Sequence, residues 1–295
     1  MQGKTEMPGF ITSRAFLSLC LSLLCWLILG PVLAFGFLRL VPSNSITGYL
    51  ALHIPYLALF SALAVTSRVL LGMPLSKMLS PGRFRWDLLV SCGAIYLALL
   101  LAGSLISHGT LRWSGVTAGF YLARLPLVLV CTPIQTISEE MVFRVYPCRI
   151  AYGGRIPSKP LPMLPLSLLS GLLFLLPHLW NIEVASSPKA FLAIAYYFLW
   201  GTLAMFLALS TGGFEAPVAM HTVNNLYVAL IANYVQSSMP YGALFVDSKP
   251  ASTGSSLLFA LLIFSLLFLF SWRKGYVTWR PDAKKENKET ETRAD

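Results

Sequence analysis

Two adjacent glutamates lie inside an otherwise apolar stretch of this 295-residue chain. Glu139 and Glu140 occur in Ile137-Ser-Glu-Glu-Met-Val-Phe-Arg144, whereas the other ten of the twelve acidic residues fall in predicted loops, helix ends or the tail. A charge inside a bilayer costs several kcal/mol and usually serves a function. On a helix, Glu140 and Arg144 share a face, so we expect an ion pair between them. Glu139 points about 100° away and should remain free to do chemistry.

Two histidines interrupt later apolar segments. His178 ends the run Phe174-Leu-Leu-Pro-His178, and His221 begins the run His221-Thr-Val-Asn-Asn225. Because His221 and Asn225 are four residues apart on a helix, both side chains can aim at one point, while Asn224 is expected to bond to a neighbouring helix. A carboxylate, two imidazoles and a carboxamide suit water activation. The carboxylate removes a proton, one imidazole holds the water, and the His/Asn pair stabilises an oxyanion.

The elements that position these residues must be membrane helices. The chain is 56% hydrophobic and only 12% charged, with a mean hydropathy of +0.69, whereas soluble domains carry about 25% charged residues. This composition excludes soluble and disordered proteins. At about 20 apolar residues per span, the length predicts an all-α polytopic fold with about eight transmembrane helices in one bundle.

The apolar segments and the basic residues together predict the topology. The eight spans are expected at 15–40, 49–71, 88–106, 116–146, 161–180, 190–209, 216–235 and 255–272. Basic residues concentrate in alternate connections, which the positive-inside rule places in the cytoplasm together with both termini; they are Arg68, Lys77, Arg83, Arg85, Arg144, Arg149, Arg155 and Lys159. His53 and His108 lie near helix ends and are expected to be interfacial.

These helix ends predict a mismatch in depth between the candidate residues. At 1.5 Å per residue, Glu139 should lie about 15 Å from the cytoplasmic end of its helix and His178 about 25 Å from the start of its own. A longer fourth helix, a tilt or a bend at Pro177 is needed to bring the two side chains to one level.

The basic surplus and the cysteines point to no other function. The net charge is +10, but the basic residues separate apolar segments and do not alternate with aromatics on a polar surface, so we expect no nucleic-acid partner. The five cysteines have neither CxxC spacing nor paired loop positions, which predicts neither disulfides nor a cysteine zinc site.

Three motifs in sequence order resemble those of the CPBP family, the Abi-like intramembrane proteases that include type II CAAX prenyl proteases and bacteriocin-processing enzymes. The motifs are Glu139-Glu140-x-x-x-Arg144, Phe174-x-x-x-His178 and His221-x-x-x-Asn225, each on a separate predicted helix. The resemblance covers about residues 115–236. It implies that Glu139 is the base acting on water, that His178 helps to hold this water, and that His221 and Asn225 form the oxyanion site. Glu140 and Arg144 would be a supporting pair.

The resemblance also suggests a division of the chain. Residues 1–114 form the N-terminal transmembrane helices, 115–236 a CPBP-like catalytic core, 237–272 the last transmembrane helix and 273–295 a cytoplasmic polar tail. The family is described both as metalloproteases and as glutamate proteases. Glu139, His178 and His221 could ligate zinc, but an HExxH spacing is absent, so we favour catalysis without metal or other cofactor and keep zinc as the alternative.

Other proteolytic chemistries lack the residues they need. Asp87, Asp247, Asp282 and Asp295 all lie outside the apolar segments, so an aspartyl dyad has no candidates. Ser104 lies within one, but it has no placed histidine partner for a serine–histidine dyad.

The sequence therefore predicts an intramembrane endopeptidase whose partners are membrane lipid and a peptide or protein substrate. Substrates that carry a prenyl group and substrates that carry a leader peptide are equally compatible with the sequence. A bacterial cytoplasmic membrane is expected because the chain is short and lacks an ER-retention tail. The alternative is a transporter or an immunity-type, partner-binding membrane protein in which the same Glu and His residues relay protons or bind a partner. A relay would tolerate Asn225→Ala, whereas loss of an oxyanion donor costs about 10²–10³ in turnover.

Overall fold

The computed structural model describes residues 8–42, 44–106, 110–153, 156–157, 159–185, 189–235, 237–239, 242–248 and 254–279. Helices make up 78% of this described part, which confirms the all-α fold class. The predicted positions of His108 and Arg155, and of the tail from residue 280 onward, lie outside the described residues. His53, expected near the interface, is fully buried, and its Nδ1 donates to the Tyr49 carbonyl at 2.8 Å.

Twelve α-helices and two π-helical segments follow one another in the described residues. The helices are α1 (Pro8–Leu24), α2 (Gly30–Leu40), α3 (Ser45–Leu71), α4 (Leu75–Leu79), α5 (Trp86–Ile106), α6 (Ala118–Glu140), α7 (Tyr146–Tyr152), α8 (Met163–His178), α9 (Ile182–Ala185), α10 (Ala190–Thr211), α11 (Glu215–Leu230) and α12 (Gly254–Arg273). The π-helical segment Cys25–Leu29 joins α1 to α2, and a second one, Met141–Val145, joins α6 to α7.

Each of the eight predicted spans corresponds to a helix or to joined helices. Six of them are long and apolar enough to cross a membrane: Thr12–Leu40, Ser45–Leu71, Trp86–Ile106, Ala118–Tyr152, Ala190–Thr211 and Gly254–Arg273. The other two, α8 and α11, have 16 residues each, which is fewer than the 20 or so that a full span needs. The chain is therefore an integral multi-pass membrane protein, and the count of eight is approximate.

The fourth long helix extends beyond its predicted end. We expected it to stop near residue 146, but it runs to Tyr152, where Gly153 with a φ of +60° ends it. Glu139 consequently lies 13 residues before the helix end (152 − 139) and His178 lies 15 residues after the start of α8 (178 − 163). At 1.5 Å per residue these positions correspond to about 20 Å and 22 Å. The longer fourth helix and the later start of α8 together remove the predicted mismatch.

A small sheet, which the sequence did not predict, joins the connections at one end of the bundle. Strand β3 (Phe245–Asp247) is central, with β1 (Leu111–Trp113) antiparallel on one side and β2 (Ala232–Tyr234) parallel on the other. Three-residue strands are too short to show the alternation that identifies a strand in a sequence. We call this end of the bundle the sheet end, and the opposite end, which carries Lys77, Arg83, Arg85 and Arg149, the basic end.

Two glycines allow α8 and α10 to pack closely. A Cβ on Gly171 would clash with the Thr202 hydroxyl and would lie 2.7 Å from the Phe198 carbonyl oxygen. A Cβ on Gly201 would lie 2.9 Å from the Phe174 Cβ. Small residues at a crossing let helix backbones approach in a membrane, where packing drives association. This contact fixes α8, and therefore Phe174 and His178, against the bundle.

Candidate active site

One cavity of about 400 Å³ inside the bundle is lined by all four residues that were predicted to be catalytic, Glu139, His178, His221 and Asn225. They reach it from α6, α8 and α11. Most of the remaining lining is aromatic or aliphatic, and Phe143, Phe174, Tyr197 and Trp200 contribute to it. An apolar cavity with a few convergent polar groups is typical of a ligand or active site.

The Glu139 carboxylate is held by one side chain of its own helix and by one of α3. The amide Nε2 of Gln135, one helical turn earlier, donates a hydrogen bond to Glu139 Oε1 at 3.0 Å, and the Tyr56 hydroxyl of α3 also interacts with this carboxylate. Glu139 is only 4% exposed. Gln135 and Tyr56 thus orient this carboxylate, which lines the cavity, and its role as a base stays a prediction.

The ion pair between Glu140 and Arg144 is present. Arg144 Nη1 lies 2.5 Å from Glu140 Oε1, and both side chains are fully buried. The Arg144 guanidinium also lies over two aromatic rings, 4.7 Å from the Phe174 centroid and 5.3 Å from the Trp200 centroid. A cation held by a carboxylate and two ring faces is compensated without water.

His221 lies between the two glutamates. Its Nδ1 is 2.8 Å from Glu140 Oε1, and its Nε2 is 3.6 Å from Glu139 Oε2. The first distance is a hydrogen bond. The second distance is too long for a hydrogen bond. Polar atoms at such a distance are often bridged by a water molecule. Glu140 therefore contacts Arg144 and His221 together, a link that helical spacing within one segment could not reveal.

His178 presents one ring nitrogen to the site. Its Nδ1 lies 2.6 Å from the Phe174 carbonyl oxygen, and because a carbonyl only accepts, Nδ1 carries the proton. Nε2 is then the nitrogen left for the cavity. The ring packs between Phe174 and Tyr197, with centroids 4.3 Å and 4.4 Å away. No hydrogen bond joins His178 to Glu139 among the described residues.

The two adjacent asparagines have different partners. The Tyr96 hydroxyl of α5 donates to Asn224 Oδ1 at 3.0 Å, which confirms the expected bond to a neighbouring helix. Asn224 in turn donates its Nδ2 to Asn225 Oδ1 at 3.2 Å. Asn225 lines the cavity and is 9% exposed. Its own Nδ2 donor is not used in these contacts.

The π-helical segment Met141–Val145 begins directly after the two glutamates. Its wider turn changes the angular positions of the residues that follow, and such insertions in α-helices are frequent at functional sites. All five residues of the segment are buried. We predicted a helical span over residues 116–146 without a π-helical segment, since the pattern of apolar residues does not distinguish an α-helix from a π-helical segment.

Sequence reasoning also missed buried polar residues. Gln135 precedes Glu139 by four residues, so the helical spacing that we applied to Glu140 would have identified it. Glu183 and Glu215 were assigned to a loop and a helix end, yet they are 4% and 0% exposed. Glu215 pairs with Arg85 through Oε2 and Nη2 at 2.7 Å. Their burial depends on contacts between distant segments and gives no signal in the sequence.

Glu183 lines the same cavity at the sheet end. Its Oε1 accepts three hydrogen bonds, from the Tyr234 hydroxyl at 2.6 Å and from the backbone N–H and hydroxyl of Ser238 at 2.9 Å and 2.8 Å. Burial, the nearby Tyr197 and the Glu183 carboxylate raise the pKa of Tyr234 well above its usual range. The Tyr234 hydroxyl therefore stays protonated and donates.

The side chains that line the cavity include residue types that can ligate zinc. Two imidazoles and a carboxylate are chemically suitable ligands. In the described part of the chain, however, no three His, Cys, Asp or Glu side chains are arranged closely enough to hold a metal ion. The residues as placed do not form such a site.

Comparison with known proteins gives two matches. Residues 119–227 match the family model described as type II CAAX prenyl endopeptidase Rce1-like. The chain is also 25% identical over 229 residues to the uncharacterized protein YyaK of Bacillus subtilis strain 168, a match that covers 76% of this chain and 73% of that protein. No solved structure matches significantly.

The family match covers all three motifs. The Rce1-like family is a family of intramembrane CAAX proteases, so the match supports a membrane protease at the level of the family. The resemblance predicted from Glu139-Glu140-x-x-x-Arg144, Phe174-x-x-x-His178 and His221-x-x-x-Asn225 is thereby confirmed, and the central part of this multi-pass membrane protein is similar to the Rce1-like type II CAAX prenyl endopeptidases.

Proposed function

We propose that this protein is an intramembrane endopeptidase in which Glu139 activates a water molecule for attack on a peptide bond. The observation that carries the proposal is the placement of His221, with one ring nitrogen 2.8 Å from Glu140 and the other 3.6 Å from Glu139. A carboxylate that takes the proton from water, an imidazole, and a second carboxylate that orients this imidazole are the components of general acid–base hydrolysis. The family match supports the same class of reaction.

The proposed mechanism needs both ring nitrogens of His221 as hydrogen-bond donors. Glu139 and Glu140 are two carboxylates in a buried cluster, and Arg144 supplies one positive charge. An imidazolium at His221 makes the cluster neutral, and buried charges without partners are strongly unfavourable. In this state both ring nitrogens are donors. Nδ1 donates to Glu140, and Nε2 points toward Glu139 and the space beside it, where an oxyanion could accept from it.

Glu140 acts in this mechanism as a positioning residue. It bonds Nδ1 of His221, so it fixes the ring orientation and stabilises the positive charge, as the buried acid does in a Ser-His-Asp triad. Arg144 holds Glu140 in turn, and the Phe174 and Trp200 rings hold Arg144. The supporting pair is therefore proposed to act on catalysis through His221.

The proposed reaction conserves protons and charge. Glu139 takes a proton from water while the water oxygen bonds to the carbonyl carbon of the substrate. The resulting oxyanion accepts hydrogen bonds from His221 Nε2 and from the unused Asn225 Nδ2. Nε2 of His178 accepts a hydrogen bond from the other O–H of the water and thereby holds the water in place. The proton on Glu139 then passes to the leaving amine as the C–N bond breaks.

The substrate is proposed to be a peptide or protein within or beside the membrane. The mainly apolar cavity lining suits a hydrophobic segment, which both prenylated and leader-bearing peptides provide. We further propose that the basic end of the bundle, with both termini, faces the cytoplasm, because the positive-inside rule assigns connections rich in Lys and Arg to that side. A bacterial cytoplasmic membrane is the proposed location.

N-terminomics of membrane fractions tests the proposal. Cells with the wild-type protein should contain new peptide N-termini that are absent from cells with Glu139→Ala or His178→Ala at equal protein levels. The substrate is identified by the same data. Identical N-termini in all three strains would rule out the endopeptidase.

The variant Asn225→Ala separates the protease from a transporter or a partner-binding protein. Loss of an oxyanion donor should lower turnover about 10²–10³-fold, whereas a proton relay through Glu and His would be little affected. Purified Asn225→Ala is compared with wild type on the substrate that N-terminomics identifies. Wild-type turnover by this variant would show that Asn225 is not an oxyanion donor, and absence of turnover by the wild-type protein itself would favour a transporter or partner-binding protein.

A further inference from the structure

Glu183 is a buried acid that is not paired with any lysine or arginine of the described residues. Among the described residues, Glu140 is paired with Arg144 and Glu215 with Arg85. No lysine or arginine in the described part of the chain forms an ion pair with Glu183. Its Oε2 is closed off from solvent and has no hydrogen-bond partner. A carboxylate in this situation carries a desolvation cost that a bound cation would offset.

The surroundings of Glu183 orient its carboxylate rather than neutralise it. Three donors from Tyr234 and Ser238 all bind Oε1, which leaves Oε2 as the unsatisfied acceptor. The phenol of Tyr234 and the hydroxyl of Ser238 are both neutral groups. They hold the side chain in place and bring no positive charge to it.

The chain connects Glu183 rigidly to the proposed catalytic residues. Asn181 N–H donates to the His178 carbonyl at 3.1 Å, and Val184 N–H donates to the Asn181 carbonyl at 3.0 Å, so a tight turn places Glu183 just beyond His178. Tyr197 packs on His178 and lies within electrostatic range of both Glu183 and Glu139. Both acids line the same cavity. A substrate bound at Glu139 would therefore extend past Glu183.

We propose that Glu183 forms an anionic subsite that binds a lysine or arginine side chain of the peptide substrate, on the sheet-end side of the bond that is cut. This inference rests on the proposed endopeptidase function and narrows its substrate class. The substrate is then an apolar segment with one basic residue at a fixed distance from the cleavage site. The cation reaches Oε2 by displacing side chains that now close it off.

Binding to an inactive variant tests the subsite without requiring catalysis. The probe is an equimolar library of apolar 12-residue peptides. In each peptide one position is either lysine or the uncharged norleucine, and the library contains every choice of this position. Purified Glu139→Ala protein in detergent should retain lysine members over norleucine members at one position. Because a hydrogen bond to a charged group is worth about 1.5–3 kcal/mol, the expected preference is about 10–100-fold. Equal retention at every position overturns the proposal.

The double variant Glu139→Ala/Glu183→Gln should lose this preference. The matched control Glu139→Ala/Ser238→Ala removes one hydrogen bond to Glu183 but keeps the carboxylate, and it should therefore keep the preference. Thermal unfolding verifies that both variants fold. A preference that survives Glu183→Gln overturns the proposal, since the cation then binds elsewhere.

Cleavage of the same library by wild-type protein separates the two proposals. Products should carry lysine at one fixed distance from the cut. If wild-type protein selects lysine members through Glu183 and cuts none of them, the endopeptidase fails while the cation subsite stands. If it cuts peptides without any preference for lysine, the subsite fails while the endopeptidase stands.

Discussion

Nδ1 of His221 on α11 lies 2.8 Å from Oε1 of Glu140 at the end of α6. The same carboxylate oxygen lies 2.5 Å from Nη1 of Arg144. One buried acid thus connects an arginine on its own helix with a histidine that is 81 residues further along the chain. This relationship makes Glu140 more than half of a local ion pair, and it leads to the first prediction.

Glu140→Gln should impair both folding and turnover. Removal of the carboxylate leaves Arg144 buried without its partner, and breaking a buried pair typically costs 3–5 kcal/mol. The double variant Glu140→Gln/Arg144→Met removes both charges and should recover much of the thermal stability. Its turnover should stay at least about tenfold below wild type, because His221 still lacks its orienting acid. Full activity in the stable double variant would show that Glu140 acts only in folding.

Gln135→Met should lower turnover without preventing folding. The substitution keeps the length of the side chain but removes the amide that donates to Glu139 Oε1 at 3.0 Å. One hydrogen bond to a charged group is worth about 1.5–3 kcal/mol, so kcat should fall about tenfold or more with KM nearly unchanged. Gln135→Glu is the contrasting variant, because a second carboxylate beside Glu139 should be more damaging. Unchanged kcat in Gln135→Met would mean that Glu139 needs no such orientation.

Gly171→Ala should destabilise the bundle through the contact between α8 and α10. The added methyl group meets the Thr202 hydroxyl and the Phe198 carbonyl, and overpacking of this kind costs about 1–3 kcal/mol. Gly36→Ala in α2 is the matched control, since a Cβ there has nothing within 4 Å and alanine favours helices by about 1 kcal/mol over glycine. Thermal unfolding in detergent should move in opposite directions for the two variants. Similar midpoints would contradict the close crossing.

Removal of metal ions should leave the activity of the purified protein unchanged. The proposed mechanism uses only side chains of the protein, and no step passes through a metal. Peptidase activity is measured before and after dialysis against EDTA and 1,10-phenanthroline, with metal content determined in the same samples. Activity that disappears with zinc and returns when zinc is added would instead support the zinc alternative, in which Glu139, His178 and His221 are the ligands.

Composition and motif spacing were sufficient to predict the fold class and the family resemblance. The membrane helices follow from the length and apolarity of each segment, which are local properties because the bilayer itself satisfies no backbone hydrogen bonds. The pairs Glu140–Arg144 and His221–Asn225 follow from helical periodicity, and the former is present as an ion pair. The order of the three motifs carried the resemblance to CAAX proteases.

Contacts between distant segments required the tertiary structure. The bond from His221 to Glu140, the aromatic rings over Arg144 and the burial of Glu183 each join residues from different helices or loops. The short strands and the π-helical segments also have no recognisable pattern of apolar residues. Hydropathy and periodicity report how one segment meets lipid or water. Which side chains meet each other depends on how the helices pack, and that is decided by the whole bundle.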